Sequence, residues 1–177
     1  MYRAPPPRSL MPTYLFRRLQ DEELDTAYGI IVEVTDWLLN QGVRQWLQPI
    51  RYEAYAARQQ NGENYGLFVD DELAAVVSLM DARPEYWSEE LPTTPYKWMA
   101  TLASARKFKG QKLGELTLSE AEQFLATESI PALYLDCIYG TGTLPQFYDS
   151  LGYRQVARKD IDFPHGTLDS VLMRKRL

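Results

Sequence analysis

One cysteine (Cys137) in 177 residues excludes an internal disulfide, and one histidine (His165) leaves no ligand set for a structural zinc. A reducing, cytoplasmic setting fits such cysteine usage. No apolar run nears the ~20 residues that a membrane-spanning helix requires. The segment Met1 to Pro12 carries Pro5, Pro6 and Pro7 and has no apolar stretch of its own. It reads as a loose leader rather than a signal peptide, which leaves 13–177 as one globular domain. Positive charge is also in deficit: the net charge is −5, against nucleic-acid binding. Repeats of 20 to 50 residues are absent, and neither G-x-S-x-G nor G-x-x-x-x-G-K-[ST] occurs. The serine-hydrolase and nucleotide P-loop readings fall with them. A Cys137–His165 thiol-protease pair has little support, since Cys137 lies in an apolar run and His165 in a Pro-Gly turn.

What remains is ordinary globular composition, 45% apolar and 24% charged. Tyr14 to Leu19 is strand-like. Asp21 offers an N-cap with Glu22 and Glu23 behind it, and Leu24, Ala27, Tyr28, Ile31, Val34 and Leu38 recur at helical spacing up to Gly42. A shorter helical pattern covers 51–60. Runs 65–69 and 73–80 flank an acidic Asp70-Asp71-Glu72 turn and read as a hairpin. Residues 81–95 form a proline-rich loop, 96–105 a strand, 109–127 a helix and 131–139 a buried strand. Leu144, Phe147, Tyr148 and Leu151 form one helical stripe that ends at Gly152, and 153–162 with 167–175 close the chain as a strand pair. The predicted fold is mixed α/β: a single, mostly antiparallel sheet of about seven strands, a central parallel β-α-β pair and helices on both faces.

Chemistry concentrates where the strand 96–105 turns into a helix. Arg106, Lys107, Lys109 and Lys112 bring four cations to that turn in an acidic chain. A helix N-terminus there would add free N–H groups, a cradle for an anion. The plainer reading is a solvated basic turn that opens a helix. Asp136 is a carboxylate inside an apolar strand, where burial raises its pKa toward that of a base; a structural carboxylate is the alternative. Tyr148 lies on the apolar stripe of its helix, which by itself reads as core.

Lys109-Gly110-Gln111-Lys112-Leu113-Gly114 resembles the acetyl-CoA-binding motif [Q/R]-x-x-G-x-[G/A] of the GNAT acetyltransferase superfamily, with Lys109 and Lys112 departing from it. Leu135 to Ile138, followed by Phe147-Tyr148-Asp149-Ser150-Leu151-Gly152-Tyr153, is similar to that family's last parallel strand and FYxxLGF helix. The resemblance implies an N-acetyltransferase with acetyl-CoA as donor, acting on a primary amine of a small molecule or protein by direct attack. It assigns Leu102, Ala103 and Ser104 to the pantetheine arm. Lys109, Gly110, Gln111, Lys112, Leu113 and Gly114 would hold the pyrophosphate, with Thr141, Thr143 and Phe147 nearby. Tyr148 becomes the general acid for the departing sulfur, and Asp136 the leading base. Trp37, Gln45 and Trp46, in a stretch like the WLxxxGxxQW of small bacterial members, would wall the acceptor site, with Asp81 and Glu85 as weaker alternatives to Asp136 that could instead bind a cationic acceptor. The acidic balance leans toward cationic acceptors such as polyamines, aminoglycosides or amino-acid derivatives, and exposed edge strands suit a homodimer. A coenzyme-binding relative without transferase activity, a sensor or interaction module, is the alternative that Lys112 keeps open.

Overall fold

The computed structural model describes residues 11–164 and 166–177, so positions 1–10 of the expected leader, and His165, lie outside it. Seven strands form one sheet: β1 (Tyr14–Arg18), β2 (Asn64–Val69), β3 (Glu72–Met80), β4 (Lys97–Ser104), β5 (Ala132–Ile138), β6 (Arg154–Phe163) and β7 (Gly166–Arg176), in the order β1-β2-β3-β4-β5-β7-β6. All neighbours are antiparallel except β4 and β5. The helices are α1 (Leu24–Asn40), α2 (Tyr52–Gln60), α3 (Leu113–Thr127) and α4 (Thr143–Ser150). Among the described residues no helix is long and apolar enough to cross a membrane.

Strand alternation divides the core between the faces. On β3, Val76 packs with Ile30, Ile31 and Tyr55 of α1 and α2, while its neighbour Val77 packs with Leu118, Ala121 and Leu125 of α3. On β5, Leu133, Leu135 and Cys137 face α3 and α4, whereas Tyr134 joins Trp87, Trp98 and Leu172 on the other face. Asp70 and Asp71 both take positive φ (48° and 68°), the two-residue primed turn that the β2–β3 hairpin requires.

Two helix starts differ from the sequence reading. The cap at the first helix is Gln20, not Asp21: its N–H donates to Glu23 Oε2 at 2.7 Å, and Asp21–Glu23 is a 3-10 turn that leads into α1. The third helix begins at Leu113 rather than Lys109, because Gly110 (φ +85°) and Lys112 (φ +54°) hold the chain in left-handed backbone. Lys112 thus takes left-handed backbone, which favours glycine, at the position where the motif that this segment resembles has glycine.

Candidate active site

β4 and β5 part almost as soon as they meet. Their parallel register consists of Lys97↔Leu133 and Trp98↔Tyr134. Beyond these pairs β4 follows β3 and β5 follows β7, so a gap opens between 99–104 and 135–138. Thr101 marks the divergence. It sits in a β-bulge against β3 with φ +59°, a conformation that costs a β-branched residue about 1–2 kcal/mol. The bulge is held from beneath: Arg58 Nη1 donates to Thr101 Oγ1 at 2.7 Å and approaches Ser78 Oγ at 3.4 Å. Ser78 Oγ in turn donates to Asn64 Oδ1 at 2.9 Å, and Asn64 Nδ2 to the Tyr55 carbonyl at 3.1 Å. Among the described residues Arg58 forms no ion pair, and burial pulls its pKa below the usual guanidinium value.

The two groups expected to move protons stand on opposite faces of β5. Asp136 lies on the α1/α2 side and accepts from the indole N–H of Trp87 at 3.0 Å. Burial raises its pKa, and the Trp87 bond only partly opposes that shift. Tyr148, 5% exposed, lies on the α3/α4 side among Leu135, Cys137 and Tyr153. Its hydroxyl makes no hydrogen bond to any described residue. Burial pushes its pKa up, reinforced by Cys137 and Asp136, so the phenol keeps its proton throughout the neutral range. The Cys137 thiol is itself pushed up to about 12 by burial and then by Asp136, which makes it a poor nucleophile.

At the basic turn the four cations separate. Arg106 stacks on Trp37 with its guanidinium carbon 3.7 Å from the ring centroid, and its backbone N–H donates to Glu33 Oε2 at 3.0 Å. Lys107 pairs with Glu72. Lys109 and Lys112 point to solvent, Lys112 with only a loose 3.9 Å approach to Glu115. No side chain caps α3, so its first N–H groups are open to an anion. Gly110, Gln111 and Gly114 border that opening. Leu113 contributes backbone alone, because its side chain is buried with Leu67, Val69 and Ala75. Of the expected arm-binding residues, Ala103 buries its methyl against the α1 side, while Leu102 and Ser104 remain partly exposed beside the gap.

Beyond the gap, a cavity of about 490 Å³ lies between Leu38 and Gly42–Gln45 on one wall and Ile138–Thr141, Thr143 and Leu144 on the other. Thr141 and Thr143 share a hydroxyl contact of 2.8 Å at its rim. Phe147 packs edge-on against Tyr148. An open helix end, parted strands and a chamber beyond the end of β5 are features suited to a long, anionic-headed coenzyme.

Gln45 and Trp46 meet Asp136 in a pocket of about 120 Å³ that also takes in Tyr86 and Ser170. The other expected acceptor contacts lie elsewhere. Trp37 is 38% exposed and occupied by Arg106. Asp81 is paired with Lys97 at 2.8 Å in a separate hollow beside Pro92–Tyr96. Glu85 is exposed at the start of a 3-10 turn. Tyr86 and Trp87, which follow it, are the residues of that loop that reach Asp136. Their aromaticity in a proline-rich loop was the only signal the sequence offered.

No family model matches the chain. The uncharacterized N-acetyltransferase YesJ of Bacillus subtilis (strain 168) is 30% identical over 139 residues, 75% of this chain and 77% of that protein. Among solved structures, a GNAT-family acetyltransferase from Listeria monocytogenes 4b F2365 superposes with a TM-score of 0.76 at 20% identity, covering 93% of this chain and 95% of that one. The protein yncA from Salmonella typhimurium, solved with its cofactor acetyl-CoA, gives 0.66 at 14% identity over 93% and 94%. The chain belongs to the GNAT N-acetyltransferase family, whose acetyl donor is acetyl-CoA.

Proposed function

We propose that this chain transfers the acetyl group of acetyl-CoA to a primary amine by direct attack within one ternary complex. The observation that carries the reading is the parted β4–β5 pair with Asp136 on one face of β5 and Tyr148 on the other. Bound coenzyme supplies an activated thioester. The open N–H groups of α3, with Lys109 and Lys112 beside them, bind its diphosphate. Leu102 to Ser104 offer backbone to the arm, and the bulge at Thr101 frees strand amides to receive a developing oxyanion. Asp136, directly or through a water, takes the proton that the amine must lose to become nucleophilic. Tyr148 donates a hydrogen bond, and then a proton, to the sulfur as it departs. An N–C bond forms and a C–S bond breaks; the ammonium nitrogen gives up two protons, one before attack and one from the tetrahedral adduct, while sulfur gains one from Tyr148, which is reprotonated in turn, so one proton is released to solvent.

The acceptor belongs to a small molecule or a protein. A thermal shift tests the coenzyme half: at a hundredfold excess over Kd, acetyl-CoA stabilises the fold by about 2.7 kcal/mol, which raises Tm by about 5–11 °C for a domain of this size. Thiol release with an amine panel then tests transfer. A shift without turnover on any amine would leave a coenzyme-binding module, and the absence of a shift would end the reading altogether.

A further inference from the structure

The walls of the acceptor path carry chemistry that narrows the amine, an inference that rests on the proposed transfer. The 120 Å³ pocket has Asp136, Tyr86 and Ser170 among its walls. It shares Gln45, Trp46, Phe163 and Leu168 with an outer cavity of about 390 Å³, whose remaining walls are Leu47, Gln48 and Pro164. The two volumes adjoin along those four residues, a passage that is mainly apolar and aromatic toward Leu47 and Pro164 and polar toward Asp136 and Ser170. Among the described residues that line it there is one carboxylate, Asp136, and no lysine or arginine.

That lining sorts amines by charge count. One ammonium group finds a partner in Asp136. Each further ammonium of a polyamine or aminoglycoside would meet Trp46, Leu47, Phe163 and Leu168 with no carboxylate among them, and the attraction of a ring face offsets only part of the cost of desolvating an unpaired cation. An apolar body, by contrast, gains from the same walls, because covering one aromatic ring is worth roughly tenfold to a hundredfold in affinity. We infer that the acceptor is a primary monoamine with an aromatic or branched apolar body, its nitrogen at Asp136 and its body between Trp46, Phe163 and Leu168. This reverses the lean toward polycationic acceptors drawn from net charge, since the chain's surplus acids do not line the passage.

The test uses the full chain with two probes, 2-phenylethylamine and spermidine. Binding is followed by the NMR shift of the Trp46 indole N–H, which reads the passage whether or not acetyl transfer occurs. Thiol release reports turnover separately. The expected result is at least tenfold tighter binding, and a correspondingly higher kcat/KM, for 2-phenylethylamine. Gln48→Glu, an isosteric change that adds a carboxylate to the larger cavity, should strengthen spermidine binding several-fold and more than it strengthens 2-phenylethylamine. Leu168→Asn should weaken 2-phenylethylamine about tenfold while the acetyl-CoA thermal shift persists. Spermidine binding equally or better in the unaltered chain, or 2-phenylethylamine failing to perturb Trp46, overturns the assignment. Loss of the acetyl-CoA shift alone would instead strike the transferase reading and leave the amine titration to be judged by itself.

Discussion

Tyr148→Phe separates chemistry from stability more sharply than any other change in this molecule. The hydroxyl bonds to no described residue, so its removal strands no donor or acceptor. The ring keeps its edge-on contacts with Phe147 and Tyr153, at centroid distances of 5.2 and 5.6 Å. Deleting an unpaired polar atom from a buried site is neutral to favourable, and the variant should melt within about 1 kcal/mol of the parent or slightly above it. Truncation to alanine would cost about 3–5 kcal/mol for the lost packing. On the chemical side, a general acid contributes about 10²–10⁴ in rate, so kcat of Tyr148→Phe should fall at least about a hundredfold, equivalent to about 2.7 kcal/mol of barrier. The acetyl-CoA thermal shift should be unchanged. The upward pKa shift adds a second signature: the parent should show no loss of kcat attributable to this phenol below about pH 10, the ordinary tyrosine value. Steady-state thiol release from pH 6 to 10, alongside calorimetry, makes both measurements. A variant that turns over within threefold of the parent would refute the assignment of Tyr148 as acid.

Asp136→Asn should lower kcat about a hundredfold and remove the acidic limb of the pH–kcat/KM profile, which burial places above the usual aspartate range. Because the folded pKa is raised, ionised Asp136 disfavours folding; that penalty is absent below the unfolded value and grows as pH rises through the folded one. The variant, whose amide oxygen still accepts from Trp87, should therefore gain Tm at pH 7–8 and lose the advantage near pH 4, and the opposite trend would show that Asp136 is stabilised rather than strained. Arg58→Met should cost about 1–3 kcal/mol by releasing Thr101, and adding Thr101→Gly should recover part of that loss, since glycine adopts positive φ without support. Equal denaturation midpoints for parent and Arg58→Met would mean that the bulge does not depend on that bond.

The elements that repeat locally were readable from residues alone. The stripe Leu24 to Leu38, the Asp70-Asp71 turn and the run Leu133 to Ile138 each announce their structure through spacing, and together they imply the central crossover. The order in which the last two strands join the sheet was not readable. Alternation shows that 153–162 and 167–175 pair, while the insertion of β7 beside β5 depends on the match of Leu172 and Met173 with Asp136 and Leu135. The bulge was hidden because Thr101 carries no turn signal; its conformation is imposed by Arg58, 43 residues away. Trp87 and Asp136, 49 residues apart, likewise meet only in the fold. Tyr148 shows the reverse difficulty: the phenol proposed as the acid lies on an apolar stripe with the spacing of a core residue, and what distinguishes it is its place on β5's α3/α4 face beside the parted strands. The basic turn suggested four phosphate-binding cations, but two of them are engaged by Trp37 and Glu72.

The short seam between β4 and β5 has a mechanical consequence. Cohesion across the middle of the sheet is carried by side chains, with Leu79 and Met99 joined to Leu133 and Leu135 on one face and Trp98 joined to Tyr134 and Leu172 on the other. Interdigitated clusters resist shear in both directions, so the two leaves stay in register without a continuous ladder between them. Main-chain groups along the cleft are thereby left unspent while the surrounding body remains stiff. An extended guest can dock there as a missing strand without first prying apart a closed one.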